Sequence, residues 1–188
     1  MRIIVGITGA SGSIYGVRLI EKLRRRPEVE LHLVMTRSGE RTLFLETGKK
    51  PGELRSLVHA FYPIDDVGAA PASGSFLTDG MVVAPCSVRT LSAIAAGISS
   101  NLLLRAADVT LKERRRLVLM FRESPFHLGH LRAMVSVTEM GAIVAPPIPG
   151  FYFKPETVVE LVDHSVDRVL DLVGLAAPDA RRWQPEGR

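Results

Sequence analysis

The segment Ile3-Ile4-Val5-Gly6-Ile7-Thr8-Gly9-Ala10-Ser11-Gly12 joins a short, mostly apolar run to a turn of small residues. A run of that length bounded by glycine reads as a buried strand. Tyr15, Leu19, Ile20 and Leu23 then recur at helical spacing. The chain therefore opens as strand, glycine-rich turn and helix. Working outward, residues 31–35, 81–84, 117–121 and 142–145 repeat the strand signal, with helix-length segments between most of them. Buried runs alternating with helices predict a parallel sheet covered on both faces. Right-handed crossovers make this a three-layer, doubly wound α/β domain, Rossmann-like or flavodoxin-like, with its ligand crevice beyond the carboxyl ends of the strands. Residues 1–174 are expected to form that single domain. Residues 175–188 form a tail rich in Pro and Arg, and its Trp183, the only tryptophan, suggests that it docks.

With 188 residues, 46 % of them hydrophobic, the chain can bury the core of one domain but not of two enzyme domains. No run approaches the ~18 apolar residues of a membrane span, and Met1-Arg2-Ile3 leads directly into the first strand without a secretion signal. A cytoplasmic protein without a membrane segment is expected. The lone Cys86 can form no internal disulfide and has no CxxC partner, so neither a disulfide scaffold nor a metal site is predicted. A net charge of +4 would suit nucleic acid or an anionic small ligand. Arg24-Arg25-Arg26 and Arg114-Arg115-Arg116 sit where helices should end, a position that favours cations, and no zinc finger, RNP pattern or interleaved aromatics accompany them. They read as solvated surface, and nucleic-acid binding is not expected.

Two strand-end turns carry the chemistry. Residues 8–12 place backbone N–H groups and a hydroxyl at a helix N-terminus, where partial positive charge favours phosphate. Glycines and caps also serve turn geometry alone, and this is not the GxGxxG fingerprint. The second turn, Pro85-Cys86-Ser87-Val88-Arg89-Thr90, follows residues 82–84 and opens a helix over 91–96. Ser87 and Thr90 can cap it, and Cys86, with no base in view, reads as packing rather than as a nucleophile. Between Gly68 and Gly80 the composition shifts to Gly, Ala, Pro and Ser, which predicts an ordered binding loop or a lid.

These turns stand in a longer ordered series: Thr8-Gly9-Ala10-Ser11-Gly12 with Tyr15-Gly16, Ser73-Gly74-Ser75-Phe76, Pro85-Cys86-Ser87, Arg105-Ala106-Ala107-Asp108, Leu111-Lys112-Glu113-Arg114-Arg115, Arg122-Glu123, His127-Leu128-Gly129-His130-Leu131 and Phe151-Tyr152. The series resembles the bacterial flavin prenyltransferases over nearly the whole chain. The resemblance implies transfer of a dimethylallyl group from dimethylallyl monophosphate to N5 and C6 of reduced FMN without metal. It also implies delivery of the prenylated FMN to a partner decarboxylase, and a dodecamer with active sites shared between subunits.

By the same resemblance Gly9, Ala10, Ser11, Thr36, Ser87, Val88, Arg89, Thr90 and Arg122 bind FMN, with Ser11 also acting in catalysis. Thr36 and Ser11 could instead be ordinary helix caps. Ser73, Arg105, Lys112, Arg122, Tyr152 and Arg168 match the prenyl-phosphate positions, where a leaving phosphate needs cations and hydroxyl donors. Without the resemblance, the face shared by Arg105 and Lys112 reads as solvated. Glu46 and Glu123 are the candidate acid/base carboxylates, Glu123 alternatively pairing with Arg122 or a helix end. Trp183 matches an aromatic facing the allylic cation and could equally anchor the tail. His127 and His130 lack an obvious third metal ligand and read as packing or capping. One departure is Met120-Phe121, where smaller residues such as Cys-Val are more familiar, and Phe121 could alter the packing beneath the flavin. A flavin-dependent cysteine decarboxylase is the competing enzyme, but its Pro-Ala-Ser would continue Ala-Asn-Thr where this chain has Gly74-Ser75-Phe76. A non-catalytic FMN carrier would need Ser11, Ser87 and Thr90 but no phosphate clamp.

Overall fold

The computed structural model describes residues 1–176 and 180–183. Its strands are β1 (Arg2–Ile7), β2 (Glu30–Met35), β3 (Ala60–Tyr62), β4 (Gly80–Cys86), β5 (Arg116–Phe121) and β6 (Ile143–Val144). The helices are α1 (Ser13–Arg24), α2 (Arg37–Thr47), α3 (Pro51–Arg55), α4 (Val88–Ala95), α5 (Leu102–Lys112), α6 (Leu128–Glu139) and α7 (Val158–Leu172). All strand pairs are parallel, and the sheet runs β3-β2-β1-β4-β5-β6. The order reverses between β1 and β4, so a crevice opens where their carboxyl ends diverge. Among the described residues no helix is long and apolar enough to cross a membrane.

Alternation along each strand divides the core into two layers. Ile3, Val5, Ile7, Leu31, Leu33, Val82, Val118 and Met120 face α1 and α7, meeting Leu19, Ile20, Leu23, Val166 and Leu170. Ile4, Val34, Met81, Val83, Leu117, Leu119 and Phe121 face α4, α5 and α6 through Leu91, Leu103, Ala107 and Val137. Helices α1 and α7 run side by side in the same direction, held by Arg18 to Asp163 at 2.7 Å and by Lys22 to Asp167 one turn further on.

The sequence pattern does not reveal β3, a three-residue, half-buried strand at the sheet edge that pairs with β2 through His32↔Ala60 to Val34↔Tyr62. So short a run presents no alternation to read. The helix expected over 91–96 begins earlier, at Val88, because Ser87 accepts the Thr90 N–H at 3.3 Å and caps it. The 68–80 segment is an ordered connection with one 3-10 turn over Ala70–Ala72. Within the Arg114-Arg115-Arg116 run, Arg114 and Arg116 are exposed as expected, whereas Arg115 is half-buried. Helix α5 stops at Lys112, Arg114 takes a left-handed φ of 56°, Arg116 begins β5, and Arg115 turns back onto the 68–80 loop.

Candidate active site at the strand ends

Thr8, the first residue after β1, welds the two central turns together. Its hydroxyl donates to the Pro85 carbonyl at 2.6 Å and accepts the Ser87 N–H at 2.9 Å, and the residue is only 1 % exposed. The Gly9–Gly12 turn and the Ser87–Thr90 turn are therefore held in one fixed relation across the β1/β4 divide. Gly9 needs its missing side chain, because a Cβ there would lie 2.6 Å from Ser38 in the first turn of α2. Thr36 caps α2 by accepting the Gly39 N–H at 3.0 Å, its backbone N–H donates to the Ile7 carbonyl at 3.0 Å, and its hydroxyl lies 3.2 Å from that of Ser38. Helices α1, α2 and α4 thus all direct their N-termini at the same carboxyl edge, a concentration of partial positive charge suited to an anion.

The α1 terminus is already partly satisfied. Gly12, with φ 103°, supplies no side-chain cap, and Glu46 from α2 accepts the Gly12 N–H at 3.0 Å and the Ser13 N–H at 2.8 Å. Burial would raise this carboxyl, but hydrogen bonds from Ser11 and from the Ser13 and Gly12 amides outweigh it and hold the group below the usual carboxylate range. At neutral pH Glu46 is an ionised cap and proton acceptor rather than a donor. The α4 turn is different: Ser87 and Thr90 hydroxyls lie 3.1 Å apart, and Arg89 stands exposed on the first turn.

Arg122 reaches the crevice from β5, its backbone N–H donating to the Cys86 carbonyl at 3.0 Å. It is close enough to Tyr15 of α1 that its charge opposes the rise which burial imposes on the phenol. Among the described residues neither Arg89 nor Arg122 enters an ion pair. Glu123 does not pair with Arg122, and its carboxylate accepts the N–H of the adjacent Ser124 at 2.9 Å. Exposed guanidinium groups beside helix N-termini, with a carboxylate next to them, can hold a phosphorylated cofactor and move a proton at its edge.

The remaining expected residues form two other groups that one chain does not bring to this crevice. Arg105 and Lys112 both lie on α5, with Arg105 donating through Nε to the Ala72 carbonyl at 3.1 Å and pairing with Asp108 at 2.5 Å. Lys112 contacts Glu113, and Ser73 lies in the loop alongside, its hydroxyl 2.8 Å from that of Ser75. Lys112 precedes the first residue of β5 by four positions, so this end of the group lies toward the amino ends of the strands. The third group surrounds a hollow of about 210 Å³ lined by Tyr152, His164, Arg168, Asp171 and Trp183. The Tyr152 hydroxyl is 2.7 Å from His164 Nε2, Trp183 meets the Tyr152 ring edge-on at 5.7 Å, and Arg168 pairs with Asp171. Arg168 lies beyond Asp167, which is level with Lys22 near the end of α1, and so also away from the crevice.

Other residues take structural places. Cys86 is buried, which pushes its thiol far above the ordinary value and leaves it inert as a nucleophile. His127 caps α6, its Nδ1 accepting the Gly129 N–H at 3.0 Å, and its ring lies 3.6 Å from that of His130. Among the described residues no three His, Cys, Asp or Glu side chains converge as metal ligands. Phe121 points into the core layer of α4 to α6 and stacks on Phe126 at 5.8 Å, so its bulk is absorbed there. Thr8 and Tyr15 stand in the family series and Ser38 does not, but none of the three is a site residue by sequence. Only the position of Thr8, directly after a strand and before the glycine, could have marked it.

Residues 1–170 match the Flavoprotein family. The chain is 52 % identical over 183 residues to the flavin prenyltransferase UbiX of Thauera aromatica, covering 97 % of this chain and 94 % of that protein. The dodecameric FMN-dependent UbiX-like decarboxylase from Escherichia coli O157:H7 superimposes with a TM-score of 0.96 at 48 % identity, covering 98 % of this chain and 100 % of that one. AnUbiX (PadA1), solved in complex with FMN and dimethylallyl pyrophosphate, superimposes with a TM-score of 0.94 at 46 % identity, covering 98 % and 97 % of the two chains.

Proposed function

This chain belongs to the Flavoprotein family and, within it, to the flavin prenyltransferases, and on that premise we propose that it transfers a dimethylallyl group from dimethylallyl monophosphate to reduced FMN. The observation that carries the reading is the pair of turns joined by Thr8, flanked by the exposed guanidinium groups of Arg89 and Arg122. Gly9, Ala10, Ser11, Thr36, Ser87, Val88, Arg89, Thr90 and Arg122 hold the flavin there. The allylic C–O bond breaks as phosphate leaves, and cations lower the cost of the charge that accumulates on it. Glu123 moves the proton, while Glu46 keeps Ser11 and the α1 turn in place.

Ser73, Arg105, Lys112, Tyr152 and Arg168 act on the prenyl phosphate, and Trp183 faces the allylic cation. Because these residues lie apart from the flavin crevice within one chain, the complete site is built between copies of a dodecamer. Residues 1–174 are the flavin-binding domain, 175–188 the tail, and the prenylated FMN passes in the cytoplasm to a partner decarboxylase.

The test is mass spectrometry of FMN after anaerobic, reducing incubation with the full-length protein and each prenyl phosphate. Flavin heavier by one dimethylallyl unit is expected with dimethylallyl monophosphate. Unchanged flavin with every donor would reduce the protein to a carrier.

A further inference from the structure

We propose that Arg115 is a positioning residue for the prenyl-phosphate end of the site, fixing the Ser73 loop against Lys112. The inference rests on the reading of Ser73, Arg105 and Lys112 given above. Arg115 stands three residues beyond Lys112, in the turn between α5 and β5, and is half-buried. Its Nη1 donates to the Phe76 carbonyl at 2.9 Å and to the Thr78 hydroxyl at 3.3 Å, while Nη2 donates to the Gly74 carbonyl at 2.8 Å. One planar group thus ties three points of residues 73–79, a stretch with no strand or helix of its own. Lysine, with a single nitrogen, cannot span them.

The neighbours sharpen the assignment. On the other side of Ser73, the Ala72 carbonyl accepts from Arg105 Nε at 3.1 Å. Ser73 is therefore bracketed by two carbonyls, each held by an arginine of the α5 segment. The side-chain ends of Lys112 and Glu113 also close on this loop, because a Cβ on Gly74 would lie 2.8 Å from Lys112 Nζ and would also collide with the Glu113 carboxylate. Among the described residues Arg115 donates its hydrogen bonds to neutral acceptors, so these bonds set geometry, while its charge adds to that of Lys112 in holding the Glu113 carboxyl below the usual range. Where reacting groups must be held in place, a displacement of about 1 Å can cost up to ~10²-fold.

The experiment uses the assembled full-length protein, with anaerobic prenylation measured against dimethylallyl monophosphate at saturating reduced FMN. Arg115→Lys should raise KM for the prenyl phosphate on the order of tenfold, with kcat changed by less than about threefold and FMN affinity by less than about twofold. Gly74→Ala displaces the flexible ends of Lys112 and Glu113 from the same loop, leaves Arg115 intact, and should raise the same KM. In a Lys112→Ala background the Arg115→Lys effect should shrink below about twofold, since both act at one phosphate. Wild-type KM in Arg115→Lys overturns the proposal, as does an equal loss of FMN affinity, which marks a merely structural role. An unchanged KM in Lys112→Ala would instead remove the phosphate-site reading beneath it.

Discussion

Replacing Thr8 with valine removes one hydroxyl from the point where the two strand-end turns meet. The Pro85 carbonyl keeps a partner, because the Thr8 backbone N–H also reaches it at 3.3 Å. The Ser87 N–H does not, since its acceptor is the lost oxygen at 2.9 Å. A buried donor left without a partner costs about 1–3 kcal/mol, and the added methyl recovers part of that, so a loss of about 1–2 kcal/mol is expected. Ser87 opens the turn that carries Val88, Arg89 and Thr90, so the same freedom should reach the flavin. A penalty of that size corresponds to roughly 5- to 30-fold weaker FMN binding. Denaturant unfolding, compared at one protein concentration because self-association would make stability concentration-dependent, reads the first effect. Titration of FMN reads the second. Thr8→Ser keeps the hydroxyl and should restore both to near the wild-type values. A Thr8→Val protein with unchanged stability and unchanged FMN affinity would refute the role of this bridge.

Glu46 gives a prediction in pH. Its folded pKa is below the ordinary 4.5, so its stabilisation is fully present above that value and is lost as pH falls through the lowered one. Glu46→Gln should therefore unfold with a shallower dependence on pH below about 4.5 than the wild type, and superimposable pH profiles would remove the cap from the acid response. Glu123→Gln should bind both substrates normally yet form product about 10²- to 10⁴-fold more slowly in a single turnover, the range for loss of an acid/base group. A wild-type single-turnover rate would leave Glu46 as the remaining carboxylate. On the metal-free reading EDTA should leave FMN binding and prenylation intact, and released flavin or lost product would contradict it.

Local signals made much of the fold legible. Residues 3–12 state strand, turn and helix in order, because apolar runs and small residues act over distances shorter than the segment itself. The strand-end turns at Gly9 and Ser87 could be found in the same way, as could α5 carrying Arg105 and Lys112 together. Strand β3 escaped because three half-buried residues at a sheet edge show no period. The doubly wound reversal was expected, but its position between β1 and β4 escaped because it depends on which side each crossover takes, not on any one segment.

Side-chain partnerships were least visible. Arg114-Arg115-Arg116 looks like one solvated run, yet Arg115 meets carbonyls that lie 39 and 41 residues earlier in the chain. Thr8 looks like one more turn residue, yet its partners lie 77 and 79 residues later. The amino-acid sequence by itself determined the layered α/β class, the two anion-ready turns and the family's residue series, since each is written in contiguous residues. Only the tertiary structure decided which hydroxyl joins the turns, which arginine ties the loop, and that Ser73, Arg105, Lys112 and Arg168 stand apart from the strand-end crevice within one chain. Those depend on hydrogen bonds between segments that meet only after the sheet has assembled.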